Sequence, residues 1–383
     1  MKKIAFVMNN MTSGGVQVSI INLLKKLSNF DLDISLFLTS VSGIYINDIP
    51  SNVKIVPIFN SDLIQNDNII FYNSINKDDS LKLKVKKCFH KLLNKLDKQH
   101  INKYSLKKSI IYDENFDYVI DYLGYGSFCT YYSLFGIKGD IKITFIHDEK
   151  VEWINNLKSL YNMFDNIYCV SNSCKEILDN IFPAMKDKTA VCRNIIDKEK
   201  IYALSTEKCE LNDECKCKLL TIGRFEYQKG YDLLLKVAEI LKKENFDFIW
   251  YIIGNGSLYE KIENDINIKG LKNHVVLLGM QKNPYKYLKN IDIYVQTSRH
   301  EGYGIAIAEA RSLNIPVIST NLKCVAEQIN NEKNGFLVSF DEGEFAKCIK
   351  KVSSDKDLYN KIVSQLKKEN IEEEIDIVRL LEI

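Results

Sequence analysis

Two glutamates, Glu301 and Glu309, stand eight residues apart in the stretch RHEGYGIAIAEA (299–310), with Gly302 and Gly304 close after the first. Two glycines in three residues each weaken a helix by about 1 kcal/mol. Yet the run from 305 to 310 is small and apolar, as at the start of a buried helix. One carboxylate therefore precedes a permissive backbone, and the other sits one to two turns into the helix that follows. Backbone N–H groups at such a start, from Gly302 through Tyr303 and Gly304 to Ile305, can hold an anion or sugar oxygens. Glu301 can accept from sugar hydroxyls and Glu309 from both hydroxyls of a ribose. Paired carboxylates also suit a glycosidase acid and base, and Glu309 could instead be paired within a core.

A second group lies upstream in TIGRFEYQKGYDLLLKVAEIL, where Gly223 and Arg224 end an apolar run and Lys229 opens a helix. Cations at a helix N-terminus work against the helix dipole unless an anion is bound there. A guanidinium fork and an ammonium together suit a diphosphate. NNMTSGGVQ places Gly14 and Gly15 between a strand and a helix, as an anion site or as a plain tight turn. IIGNGSLYEKIE offers Gly254 and Gly256 after a strand, but Tyr259 occupies the third glycine position of a dinucleotide fingerprint. A turn at the edge of a nucleotide site fits better than a nicotinamide cofactor.

These residues need strand ends to hold them. Short β-branched runs at 4–8, 33–39, 117–123, 142–147 and 167–171 alternate with helical periodicity, and so do runs at 219–223, 248–254, 275–279, 292–297 and 316–320. Near-continuous apolar strands between helices imply α/β architecture with parallel sheets covered on both faces. At 383 residues the chain suits two such domains. The expected division is 1–204, a linker at the polar segment 205–218, a second domain at 219–366, and a terminal helix at 367–383 crossing back to the first. Ligands in doubly wound sheets bind at the carboxyl ends of the strands.

Composition narrows the partners. Lys plus Arg number 52 against 50 Asp plus Glu, a net +2, which argues against a nucleic-acid binder. The ten cysteines form no disulfide framework or zinc pattern, so reduced thiols and a cytoplasmic setting are expected. The first apolar run is too short for a signal peptide, and no stretch approaches the roughly 18 apolar residues of a membrane span.

Taken in order, Gly14–Gly15, Gly223–Arg224 with Lys229, Gly254-x-Gly256, EGYGIAIAE as an E-x7-E motif, and NIPVIST followed by NGFLV resemble the retaining glycosyltransferases of family four, in the branch that builds bacterial surface polysaccharide. The resemblance implies the GT-B fold, two doubly wound Rossmann-like domains facing across a cleft. It also implies a nucleotide-sugar donor, a UDP-sugar by preference, as a substrate rather than a cofactor, with no metal, and a glycan or lipid-linked acceptor. By the same resemblance Arg224 and Lys229 neutralise the donor diphosphate, Glu309 holds the ribose and Glu301 the transferred sugar. The loop from Gly302 to Ile305 contacts sugar and phosphate, and Gly15 touches the diphosphate from the other domain. His147 stands near the reacting sugar, and the base lies near Gln281. Two rivals remain open: a non-catalytic GT-B subunit that stabilises a partner transferase, and a sugar-nucleotide epimerase.

Residues 77–108 carry eleven lysines against three aspartates, a net +8 before histidines. Within 81–98, Leu81, Val85, Cys88, Phe89, Leu92 and Leu96 share one helical face. A basic amphipathic helix of this kind suits an anionic membrane surface, here the inner face of the cell membrane, or a solvated face of the first domain.

Overall fold

The computed structural model of the chain describes residues 1–12, 14–59, 81–96, 99–209, 211, 217–369, 376–377 and 381, with backbone alone for 81–83, 87, 90, 94, 96 and 101. Parts of the expected linker (210, 212–216), of the terminal segment (370–375, 378–380, 382–383) and of the basic stretch (77–80, 97–98) lie outside the described residues, as do the side chains of Leu81 and Leu96. The chain divides into two compact units. The first comprises Met1–Val170, Lys175–Cys192 and Asp376–Ile383, and the second Ser171–Cys174 and Arg193–Ile375.

The first unit is a seven-stranded sheet: β1 (Lys2–Met8), β2 (Leu32–Leu38), β3 (Lys54–Pro57), β4 (Tyr112–Asp121), β5 (Ile137–Ile146), β6 (Asn166–Cys169) and β7 (Thr189–Val191). Its spatial order is β3-β2-β1-β4-β5-β6-β7, and every pairing is parallel. Residues 4–8 of β1 are all buried, as expected of a strand with helices on both faces. Helix Gly15–Leu27 covers it through Ile20, Ile21, Leu23, Leu24 and Leu27, a helical apolar stripe. Ile377 and Leu381 are buried as well, and the Leu381 carbonyl accepts from the Tyr118 hydroxyl at 2.8 Å and from Lys2 Nζ at 3.1 Å.

The second unit is a six-stranded parallel sheet of β8 (Cys217–Ile222), β9 (Phe248–Ile253), β10 (Val275–Gly279), β11 (Ile293–Gln296), β12 (Val317–Thr320) and β13 (Phe336–Val338). Its order is β10-β9-β8-β11-β12-β13. Ile196 and Ile201, upstream of the expected linker, pack into this unit's core. The changeover between the units accordingly falls at Cys192/Arg193. Trp250 on β9 is fully buried and donates its indole N–H to Thr221 Oγ1 on β8 at 3.0 Å. Thr221 donates in turn to the Val295 carbonyl on β11 at 2.6 Å. One polar relay thereby ties the three central strands, and truncating Trp250 would cost about 3–5 kcal/mol.

Strand order reverses once in each sheet, between β1 and β4 and between β8 and β11. At such a reversal the loops leaving two neighbouring strands diverge to opposite faces and leave a crevice. Gly14, Gly223, Arg224, Lys229 and Glu301 to Gly304 sit on those loops and Glu309 in the helix that follows them, whereas His147, Gly254 with Gly256, and Gln281 follow β5, β9 and β10.

Candidate active site

In the second unit the crevice is floored by β11 and the turn after it. Tyr294, Gln296 and Ser298 alternate along this segment, so their side chains share one face. The Tyr294 hydroxyl donates to Gln296 Oε1. Gln296 Nε2 donates to Ser298 Oγ at 2.6 Å, and Ser298 donates to Glu301 Oε1 at 2.6 Å. Gln296 Nε2 reaches the same carboxylate oxygen at 3.2 Å, and Lys229 Nζ closes on it at 2.6 Å. Glu301 is only 6% exposed. A carboxylate so buried needs partners for its charge, and here it has an ammonium, a hydroxyl and an amide.

Lys229 arrives from the other side of the reversal. After β8 the chain passes Gly223 and Arg224, forms a short 3₁₀ turn at Tyr227–Lys229, and enters helix Tyr231–Lys243 through Gly230 at φ 67°. A Cβ on Gly230 would lie 2.0 Å from the Thr297 carbonyl oxygen, so only glycine lets the two loops touch. A Cβ on Gly223 would lie 3.2–3.3 Å from the aliphatic stem of Lys229. That missing side chain is the space in which the lysine lies. The sequence places Lys229 against a helix dipole with an anion to be supplied, and within the chain that anion is Glu301. Arg224 is exposed beside it, and its guanidinium has no ion pair among the described residues.

The two loops are braced by a residue absent from the sequence-based set. Arg299 makes a two-pronged pair with Asp232, at 2.8 and 2.7 Å, donates to the Tyr227 carbonyl at 2.9 Å, and lies 3.9 Å above the Tyr227 ring. The hydrogen bond from Arg299 holds the Asp232 carboxyl below its usual range. Gln328 donates to the Tyr303 carbonyl and steadies the run into Gly304, whose φ of 85° caps helix Ile305–Ser312. The first N–H groups of that helix have no partner within it. The alternation Tyr294, Gln296, Ser298 inside an apolar strand was the available signal for this network.

Glu309 is 6% exposed and accepts from the Tyr285 hydroxyl at 2.8 Å. Burial pushes its pKa up to about 7, against smaller downward pulls from that hydrogen bond and from the Lys200 charge. Tyr285 and Lys200 are further neighbours that sequence spacing did not reveal. Gly254 and Gly256 have a packing explanation. A Cβ at 254 would stand 1.9 Å from the Gly223 carbonyl oxygen, and one at 256 would stand 2.6–2.8 Å from the Phe225 backbone. These glycines let the loop after β9 nest against the loop that carries Arg224. The Gln281 side chain is turned onto its own loop, donating to the Leu278 carbonyl at 2.7 Å and accepting from Tyr287 at 3.2 Å.

In the first unit, Gly14 caps helix Gly15–Leu27 with φ 137° and no side-chain cap. His147 follows β5, stacks near-parallel to Phe145 at 5.8 Å, and places Nε2 2.6 Å from the Tyr122 carbonyl. That distance requires the proton on Nε2, leaving Nδ1 as an acceptor. Desolvation lowers its pKa to about 4, so the ring is neutral near pH 7.

Residues 206–369 match the model of the family described as glycosyl transferases group 1. This chain is 35% identical over 176 residues to an uncharacterized glycosyltransferase, MJ1059, of Methanocaldococcus jannaschii, across 45% of this chain and 43% of that protein. It is also 35% identical over 118 residues to the poly(ribitol-phosphate) alpha-N-acetylglucosaminyltransferase of Staphylococcus aureus, across 30% of this chain and 24% of that protein. The chain thus spans under half the length of these two relatives. Among solved structures it is similar to a mutant of S. aureus TarM in complex with Fondaparinux, alpha-GlcNAc-glycerol and UDP, with TM-score 0.73, 19% identity and coverage of 100% and 98% of the two chains. It is likewise similar to Anabaena HepE in complex with UDP and glucose, with TM-score 0.67, 17% identity and coverage of 96% and 94%. At such identities the structural likeness shows the fold. The chain has the GT-B fold of two Rossmann-like units.

Proposed function

We propose that the chain is a retaining glycosyltransferase. It moves a sugar from a nucleotide-sugar donor, a UDP-sugar by preference, to a glycan or lipid-linked acceptor in the synthesis of bacterial surface polysaccharide. The observation that carries this is the Lys229–Glu301 pair at the β8/β11 reversal, 2.6 Å apart and joined to Ser298 and Gln296. An ammonium held in place at a ligand crevice, with an exposed guanidinium two strand-loop residues beyond β8, suits a leaving diphosphate. The S. aureus TarM and Anabaena HepE structures both hold UDP, which supports a uridine donor.

In the reaction the bond from the sugar's anomeric carbon to the diphosphate oxygen breaks, and a bond from the acceptor oxygen forms on the same face. The acceptor proton passes to the departing phosphate oxygen. Lys229 and Arg224 stabilise the charge that grows on the diphosphate, preorganised before it appears, and so take the part a metal ion would otherwise play. The open N–H groups at the start of helix Ile305–Ser312 add partial positive charge. Glu301 accepts from hydroxyls of the transferred sugar through the oxygen not facing Lys229. Glu309 accepts from the ribose hydroxyls, which requires its ionised form. His147 offers Nδ1 as a neutral acceptor, without acid–base work.

Purified protein screened by thermal shift against UDP, GDP, ADP and their common sugars tests the proposal. A nucleotide at 100 times its Kd stabilises by about 2.7 kcal/mol. A shift with UDP and UDP-sugars that is absent in Glu309→Gln supports it. No shift with any nucleotide in folded protein favours a non-catalytic subunit, and conversion of a nucleotide sugar without acceptor exposes an epimerase.

The setting we propose is peripheral to an anionic membrane, through helix Leu81–Leu96. Val85, Phe89 and Leu92 are 63%, 57% and 58% exposed, and Lys84, Lys86, Lys91 and Lys95 belong to the same helix. Among the described residues no helix is long and apolar enough to cross a membrane. Co-sedimentation with phosphatidylglycerol vesicles but not with phosphatidylcholine vesicles is expected, and equal sedimentation in both would remove the idea.

A further inference from the structure

The turn after β4, at the strand-order reversal of the first unit, is built against local preference. Gly124, Tyr125 and Gly126 follow one another at φ 67°, 63° and 57°, three left-handed residues in a row. Glycine is obligatory on either side. A Cβ at 124 would stand 2.1 Å from the Phe145 carbonyl oxygen, and one at 126 would stand 2.0 Å from Leu157 Cδ1. Tyr125 has no such exemption, and a bulky residue in this region is strained.

The surroundings hold the strain in place. Asp121 is fully buried and accepts from Gly124 N–H at 3.1 Å, from Thr130 at 2.6 Å and from Thr144 at 3.1 Å. The Gly126 N–H donates to the Tyr161 hydroxyl at 3.0 Å. The result is not better packing, for Tyr125 is 40% exposed. Its ring centre lies 5.8 Å from that of Trp153, tilted by 41°. Trp153 is itself fixed, its indole N–H donating to the Lys150 carbonyl at 2.7 Å and its ring meeting Tyr161 edge-on at 5.6 Å. Residues 121–127 contain no Lys or Arg, so this turn does not suit a phosphate.

We propose that Tyr125 and Trp153 form a stacking surface for a pyranose ring of the acceptor. A sugar presents a face of C–H groups with hydroxyls around its rim. Two rigid aromatic rings match that face while leaving the rim to water and polar neighbours. The position at the β1/β4 reversal is where a doubly wound sheet receives its ligand. Calling the saccharide an acceptor rests on the glycosyltransferase function proposed above; the surface as a saccharide site does not.

The chain has two tryptophans, and Trp250 is fully buried, so ligand-dependent changes in indole emission report on Trp153. The full-length protein is titrated with maltotriose and with chitotriose. A saturable change with at least one is expected. It should be retained in Tyr125→Phe and weakened tenfold or more in Tyr125→Gly. Glycine at φ 63° relieves the strain, so Tyr125→Gly should melt no lower than the parent, which separates lost binding from lost folding. No response to either trisaccharide, or an unchanged affinity in Tyr125→Gly, overturns the proposal. The UDP thermal shift is measured on the same samples and should be equal in parent and variant. Saccharide binding without any nucleotide shift would sink the donor assignment and leave the stacking surface standing.

Discussion

The two units repeat one topology and fill its crevice with different chemistry. In the second unit the β8/β11 reversal concentrates charge: Lys229 on Glu301, Arg299 on Asp232, and Arg224 exposed beside them. At the β1/β4 reversal of the first, residues 121–127 bring one buried carboxylate, Asp121, whose partners are hydroxyls and an N–H. The loops after β4 and β5 add the paired rings of Tyr125 and Trp153 and a neutral His147 at the end of β5. One site is built to hold a charged group, the other to present hydrogen bonds and flat apolar faces. A fold of this class therefore sets where ligands bind, and the residues on two loops per unit set what binds.

Substitutions can break this contrast. The largest effect is expected for Lys229→Ala, which should lower sugar transfer by about 10²–10³-fold, the loss typical of one preorganised charge-stabilising group. It also strands Glu301, so about 3 kcal/mol of stability should go with it. The double variant Lys229→Ala/Glu301→Gln should recover stability in chemical denaturation but not transfer. If transfer returned with stability, the pair would be structural and the contrast would fail.

Gly254→Ala places a Cβ 1.9 Å from the Gly223 carbonyl and should cost about 3 kcal/mol. Gly279→Ala meets no atom within 4 Å but has φ 66°, and should cost only about 1 kcal/mol. Gly254 also has a positive φ, 152°, so denaturation midpoints of the two variants compare contact plus backbone strain with backbone strain alone.

The pH dependence separates the units more finely. Glu309 has a folded pKa raised to about 7, so the folded state binds its proton more tightly than the unfolded chain. Its contribution is favourable below about pH 4.5 and is lost as pH climbs through 7. Glu309→Gln removes that penalty, and at pH 8 the ligand-free variant should be more stable than the parent by about 1–2 kcal/mol, while UDP no longer shifts its melting. Nucleotide affinity of the parent should rise from pH 6 to pH 8 as the carboxylate ionises.

The smallest effect belongs to His147. With its pKa lowered to about 4, it changes charge well below the working range. His147→Asn should leave the shape of the rate profile between pH 6 and 8 unaltered. A limb near pH 7 that vanished in His147→Asn would give the first unit a titrating role and overturn the assignment of that limb to Glu309.

Much of the fold was legible because doubly wound strands are continuous apolar runs. Every strand expected from such a run is present, with ends within two residues except that β4 and β5 each begin five residues earlier. The strands missed as such, β3, β7 and β13, are short: Lys54–Pro57, Thr189–Val191 and Phe336–Val338. β3 exposes three of its four residues, so its sequence carries little apolar pattern. The site was legible where charge stood against local preference, as with Lys229 ahead of a helix and Glu301 before two glycines. Arg299, Asp232, Ser298, Gln296 and Tyr285 were not, because each is ordinary in its own segment and gains its role from a neighbour tens of residues away.

The sequence by itself determined the element types, the parallel sheets and the loops on which reactive side chains must lie. These follow from periodicity and from glycine and charge placement, all of which are local. Only the tertiary structure decided that Lys229 meets Glu301, that Gly254 yields to the Gly223 carbonyl, that Glu309 sits where burial lifts its pKa to about 7, and that Tyr125 is held in a strained turn beside Trp153. Distances, desolvation and strain arise between segments far apart in the chain, and no local pattern encodes them.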